Sequence, residues 1–129
     1  MIGLDTNVVV RYLADDDPEQ SPRAARVIDG LTATNPGFIA TVVWVEAFWV
    51  LTRACDIPKK DVLAQFADLL DAEEVQVEDY AAVAQALTAA KDGADFADAL
   101  IDSAARRRGC AHTVTFDEGA SKRLGWRLL

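Results

Sequence analysis

Cysteine and histidine are scarce in this sequence, and their scarcity excludes two classes of small protein. The chain has two cysteines and one histidine among 129 residues. Cys55 and Cys110 are far apart, which favours reduced, buried thiols over a disulfide. One histidine and two distant cysteines are also too few for the usual four ligands of a structural zinc ion. Neither a fold held by disulfides nor one stabilised by a structural zinc ion is therefore expected.

Long hydrophobic runs are also absent. No segment approaches the ~18 consecutive apolar residues of a membrane span, and residues 1–4 lack the charged start of a signal peptide. Apolar residues make up 51% and charged residues 26% of the chain, which is a globular composition. We therefore expect a cytoplasmic protein with a single domain spanning residues 1–129, which is long enough to bury a core.

Positive charge is in short supply, because 13 basic residues face 21 acidic ones and the formal net charge is −8. This balance argues against a protein that binds nucleic acid through overall attraction. The charges are unevenly distributed, however, and residues 100–129 are richer in bases than in acids. These bases could contact phosphate: Arg106, Arg107, Arg108, Lys122, Arg123 and Arg127. Solvated surface charge is the simpler interpretation of the three arginines at 106–108.

Strand-like and helix-like segments alternate along the chain. Strands are predicted at residues 1–5, 38–41, 75–77 and 112–115, with a possible edge strand at 126–129. Helices are predicted at 6–14, at 42–55, at 96–108 and in the segments that begin near residues 22, 58 and 80. Ser21 and Pro22 resemble an N-cap and a first helical position. The alternation predicts an α/β fold with a parallel sheet covered on both faces.

Four isolated carboxylates stand at positions that packing alone explains poorly. Each lies where an apolar strand runs into a helix or on an otherwise apolar helix face: Asp5, Glu46, Asp98 and Asp117. In an open α/β sheet the carboxyl ends of neighbouring strands share one crevice, so acids from distant segments can meet there. The pattern predicts an acidic, metal-binding pocket.

Structural roles remain open for the first two acids. Asp5, or either of the two residues that follow it, could cap the helix that begins there. Glu46 lies among apolar neighbours, where an unpaired charge is costly, so it could instead form a buried salt bridge to Arg53 or Arg11.

The acids of the later segments also have structural alternatives. Asp95, Asp98 and Asp102 share one helical face. Asp95 is most simply an N-cap, and Asp102 could be merely solvated, whereas Asp98 can point toward the crevice. Asp117 could be another cap.

Such a pocket suits Mg²⁺ or Mn²⁺, because these hard cations take oxygen ligands and keep several waters. Without a cation, clustered carboxylates repel one another and raise each other's pKa. With one, the site can bind a phosphate oxygen and lower the pKa of a bound water. Phosphodiester hydrolysis is the chemistry that this arrangement favours.

Four segments in order, MIGLDTNVVVRYL, VEAFWVL, ADFADALI and TFD, resemble the PIN-domain ribonucleases, and within them a VapC-type toxin. The resemblance implies a three-layer α/β/α sandwich with a central, mostly parallel sheet. It also implies RNA cleavage dependent on Mg²⁺, for which Mn²⁺ can substitute, and inhibition by a cognate antitoxin protein. A homodimer is also expected.

The resemblance places the family's acids on the four carboxylates. Asp5, Asp98 and Asp117 would bind the principal metal, and Glu46 would help to position a second metal or the attacking water. Supporting positions fall on Thr6, Asn7, Asp95 and Thr115, and Arg11 is a candidate for contact with an RNA phosphate.

Two other classes fit the length of the chain. A response-regulator receiver domain also has an acidic Mg²⁺ pocket, but it requires paired acids after the first strand and a lysine after the last core strand; here Asp5 stands single and Phe116 and Asp117 follow Thr115. A binding module could use the acids to receive a basic peptide. Only the ribonuclease hypothesis predicts RNA cleavage by the purified protein.

Overall fold

The computed structural model describes residues 1–129, which divide into two compact units, Met1–Asp79 and Tyr80–Leu129. The first unit contains β1 (Ile2–Gly3), α1 (Thr6–Ala14), α2 (Gln20–Asp29), β2 (Gly37–Ile39), α3 (Thr41–Trp49), a π-helical turn (Val50–Ala54), α4 (Lys59–Leu70) and β3 (Val75–Val77). The second contains α5 (Tyr80–Lys91), α6 (Phe96–Arg107), β4 (Val114–Thr115), α7 (Glu118–Leu124) and β5 (Arg127–Leu128).

The strands of the first unit form a parallel sheet in the order β1-β2-β3. Ile2 pairs with Gly37, and Gly37 pairs in turn with Val75. A Cβ atom on Gly37 would lie 2.8 Å from the side chain of Leu31 and 2.9 Å from that of Leu4, closer than carbon atoms can pack. A larger residue at this position of the central strand would therefore force these two core leucine side chains to shift.

Aromatic packing anchors α3 to α4 in the core of the first unit. The rings of Trp44 and Phe66 meet edge to face with centroids 5.0 Å apart, and Phe48 approaches Phe66 at 6.3 Å. Trp44 and Phe66 are almost completely buried, whereas Trp49 is 61% exposed. The apolar sequence of α3 thus covers a buried face and an exposed one.

Most predicted elements are present, with two differences in the first unit. The helix predicted at 42–55 continues beyond Trp49 as a π-helical turn, in which the Thr52 hydroxyl donates to the Phe48 carbonyl at 2.7 Å. The predicted N-cap at Ser21 is wrong, because α2 already begins at Gln20. The Asp17 carboxylate accepts the backbone N–H of Gln20 at 2.6 Å. This hydrogen bond stabilises the start of α2 at a residue before the predicted one.

The second unit ends in a short parallel ladder between β4 and β5. Trp126 holds β5 in place: its indole N–H donates to Asp102 at 2.7 Å, and its carbonyl accepts the Ser121 hydroxyl at 2.7 Å. Asp102 also accepts from Arg106 at 2.8 Å. The expectation that Asp102 is merely solvated is therefore wrong. The edge strand predicted at 126–129 is present, and α7 is an additional helix.

All paired strands run parallel and alternate with helices, so the predicted α/β class is confirmed. Both cysteines are free, as expected, but Cys55 is half-buried and Cys110 exposed, so the prediction that both are buried is wrong. None of the helices combines the length and the apolar character needed to cross a membrane.

Candidate metal-binding site

Asp5 follows β1 and occupies the N-cap position of α1, where its backbone is extended. Its carboxylate makes no side-chain capping hydrogen bond, so the capping alternative is not supported. The side chain is exposed beside the N-terminus of α1.

Glu46 is tied to α1 by a short hydrogen bond. The hydroxyl of Thr6, which is buried, donates to Glu46 Oε1 at 2.6 Å. A charge-assisted bond of this length fixes the orientation of the carboxylate more firmly than a neutral bond does. The predicted supporting residue Thr6 and the predicted acid Glu46 are thus brought together by two helices of the first unit.

The expectation of a costly environment around Glu46 is wrong, because the residue is exposed. The side chains four residues before and three residues after it are also exposed: Val42 by 63% and Trp49 by 61%. These three residues share one face of α3. Glu46 forms no salt bridge with Arg53 or Arg11. Arg11 instead approaches Asp16 at 3.7 Å.

In the second unit, Asp98 lies near two other carboxylates, Asp95 and Asp117. Asp98 lies half-buried in the first turn of α6. Burial raises the pKa of its carboxyl above the ordinary value, and the negative charges of Asp95 and then Asp117 raise it further. Asp95, a predicted supporting acid, and Asp117, a predicted core acid, therefore both lie close enough to Asp98 for their charges to act on it.

Asp95 and Asp117 are also helix caps. The Asp95 carboxylate accepts the backbone N–H of Asp98 at 2.9 Å, and that of Asp117 accepts the N–H of Ala120 at 3.0 Å. Thr115 accepts the backbone N–H of Asp117 through its hydroxyl oxygen at 2.9 Å. Both capping alternatives are confirmed, and Thr115 is placed where it orders the segment that carries Asp117.

One acid at the carboxyl end of the sheet in the first unit was not among the predicted site residues. Glu78 directly follows β3, and its carboxylate accepts the backbone N–H of Thr41, the first residue of α3, at 2.7 Å. This hydrogen bond is the main reason that the pKa of Glu78 lies below its usual range. The signal was available, because an acid directly follows the apolar strand VQV, as Asp5 follows MIGL.

The donor types fit a hard divalent cation. In the first unit, the oxygens of Asp5 are not used in capping and Glu46 is held by one hydroxyl. In the second unit, burial and the negative charges of Asp95 and Asp117 raise the pKa of Asp98, and a bound cation would offset those charges. No three His, Cys, Asp or Glu side chains form a ready-made set of metal ligands. The remaining predicted residues, Asn7 and Arg11, line a groove between α1 and α2.

The chain is thus an α/β protein with parallel strands, in which an acid directly follows β1 and another lies shortly after β4. The PIN domain family matches residues 2–124, and the chain belongs to this family. Its observed elements are consistent with the three-layer α/β/α fold of the family. PIN domains are typically nucleases that use divalent metals, which supports a hydrolase. No curated protein matches the chain.

Proposed function

We propose that this protein is a Mg²⁺-dependent ribonuclease that hydrolyses RNA phosphodiester bonds, with Mn²⁺ as a possible substitute. The observation that carries the proposal is the PIN match, which extends from residue 2 to residue 124 and includes all four predicted acids, Asp5, Glu46, Asp98 and Asp117. The match also runs across the boundary between the two units, which supports a single PIN domain over residues 1–129.

In this proposal Asp5, Asp98 and Asp117 hold the principal metal ion, with Asp95 supporting through water. The bound cation would supply Lewis acidity toward a phosphate oxygen and a lowered pKa for a bound water. Glu46 orients the attacking water or a second ion, and its own orientation is maintained by the Thr6 hydroxyl at 2.6 Å.

The supporting residues act on the segments that carry the acids. Thr115 accepts the Asp117 N–H and so helps to keep that carboxylate at the end of β4. Asn7, in the first turn of α1, is suited to order waters beside Asp5.

The decisive experiment is incubation of the purified protein with RNA in Mg²⁺, in Mn²⁺ and in chelator. Cleavage should require the metal and should fall by ~10²-fold or more in Asp98→Asn and Asp5→Asn, since each removes a ligand charge without changing shape. Asp68→Asn is the matched control, because this exposed carboxylate on α4 is outside the proposed site. Wild-type rates in folded Asp5→Asn and Asp98→Asn would refute the assignment.

We further propose that the protein is a VapC-type toxin, a homodimer located in the cytoplasm and inhibited by a cognate antitoxin. The exposed apolar surface of Val42 and Trp49, on either side of Glu46, supports a protein partner at this face of α3. An antitoxin segment that covers the two apolar side chains could place an Arg or Lys beside the acid.

Trp49→Ala tests the antitoxin contact. Antitoxin affinity should fall at least ~10-fold, because a large exposed aromatic side chain is a typical interface anchor, while RNA cleavage stays near wild type. Ile101→Ala, which removes an exposed apolar side chain from α6, is the control and should bind normally. Unchanged antitoxin affinity in a folded Trp49→Ala protein would argue against this face.

A further inference from the structure

The groove between α1 and α2 in the first unit has an unusual charge for so acidic a protein. Its volume is about 570 Å³. Three arginines line it, Arg11, Arg23 and Arg26, and no acidic residue does. With 21 acids against 13 bases in the chain, such a surface is a local exception to the net charge of −8.

The two helices present matching faces to this groove. Asn7 and Arg11 are four residues apart on α1, and Gln20, Arg23 and Val27 follow one another at helical spacing on α2, so each set lies along one side. Val27 is 43% exposed, so the lining of the groove includes an accessible apolar side chain as well as polar ones. Asn7 is two residues after Asp5, so one end of the groove begins next to an acid of the proposed catalytic site.

The three arginines differ in their hydrogen bonds and ion pairs with the rest of the protein. Arg11 donates from Nε to Gln20 at 2.8 Å and links the two helices. Arg23 comes no closer than 3.9 Å to Glu19, and both side chains are largely exposed, so this ion pair contributes little to stability. Arg26 is exposed and takes part in no salt bridge. Two guanidinium groups are therefore available to an anion at little cost.

We propose that this arginine groove binds the phosphate backbone of single-stranded RNA and guides the strand toward the catalytic acids. The inference rests on the proposed ribonuclease function. Arginine guanidinium groups pair well with phosphate. The exposed apolar side chain of Val27 can contact bases or riboses, which a single strand exposes more fully than an RNA duplex does. Local attraction here also explains how a protein of net charge −8 can hold a polyanion.

The test measures the binding of a fluorescent single-stranded oligoribonucleotide to the full chain in chelator, where no cleavage is expected, at several salt concentrations. Arg23→Gln/Arg26→Gln should weaken binding by about tenfold and reduce the slope of log affinity against log salt by about 1.4, which corresponds to two phosphate contacts on a single strand. Arg53→Gln/Lys60→Gln removes the same charge from exposed positions outside the groove and should leave the slope near wild type.

Two other results would overturn the proposal that the groove binds RNA. An equal loss in both double variants would overturn the groove, because net charge alone would then account for it. An unchanged slope in the groove variant would also overturn it and would leave an acidic protein segment as the occupant to examine. If the double variant melts well below wild type, Arg26→Gln alone is measured, with an expected slope change of about 0.7.

The groove and the proposed activity can fail separately. Cleavage of RNA by the wild type together with groove-independent binding would refute only the groove. Groove-dependent binding without metal-dependent cleavage would refute only the ribonuclease proposal.

Discussion

Thr6 shows how a single hydroxyl can define the chemistry of a neighbouring acid. The side chain is 7% exposed, and its hydroxyl reaches Glu46 Oε1 across 40 residues of sequence. Because Glu46 itself is exposed, water competes for its carboxylate, and the buried donor selects one orientation. In the proposed mechanism Thr6 would therefore position Glu46, and through it the attacking water, rather than bind the metal as a ligand.

Replacing this hydroxyl tests its role. Thr6→Val keeps the shape but removes the donor, so we expect kcat for RNA cleavage to fall about fivefold while KM changes little. The reason is the loss of a hydrogen bond that contributes ~1 kcal/mol to positioning Glu46. Thr6→Ser keeps the hydroxyl and should retain most of kcat. Equal kcat losses in Val and Ser variants would mean that packing of the threonine methyl, not the hydrogen bond, matters.

At the scale of elements, the start of α3 depends on an acid from another segment. Thr41 donates its backbone N–H to Glu78, 37 residues later, which satisfies one of the free donors at the helix N-terminus. A negative charge there also interacts favourably with the helix dipole. The helix has no side-chain cap of its own, so Glu78 takes over that role.

The contribution of Glu78 should depend on pH in a defined direction. Because the pKa of the folded-state carboxyl is lowered, it stabilises the protein above the unfolded-state pKa, and this stability is lost as pH falls through the folded-state pKa. Glu78→Gln should therefore lower Tm at neutral pH and converge with wild type in acid. Glu73→Gln, an exposed acid before β3, is the control. A Tm difference that grows toward acid would contradict this role.

At the scale of the whole molecule, the proposed metal couples activity to stability. A cation that binds the folded state and not the unfolded chain stabilises the protein by ~2.7 kcal/mol at ~100 times its dissociation constant. Asp5→Asn should lose most of this gain, whereas Asp68→Asn should keep it. The measurement is thermal unfolding in saturating Mg²⁺ or Mn²⁺ and in chelator, and identical Tm values for wild type would count against a metal site.

The order of elements was readable from the sequence because it depends on local patterns. Helix α1 and strand β3 lie at the predicted bounds, Thr6–Ala14 and Val75–Val77, and Asp95 and Asp117 are helix caps as capping chemistry suggested. Helical and strand periodicity, together with capping residues, are properties of neighbouring residues, so a single chain displays them.

The contacts that define the candidate sites were decided by the tertiary structure. An apolar helix such as α3 does not reveal which face remains outside, so the exposure of Glu46 with Val42 and Trp49 had to come from packing. The pairings of Thr6 with Glu46 and of Thr41 with Glu78 join segments about 40 residues apart, and the arginine groove exists only because α1 packs on α2. Such pairings depend on the approach and register of distant segments, which no local periodicity encodes.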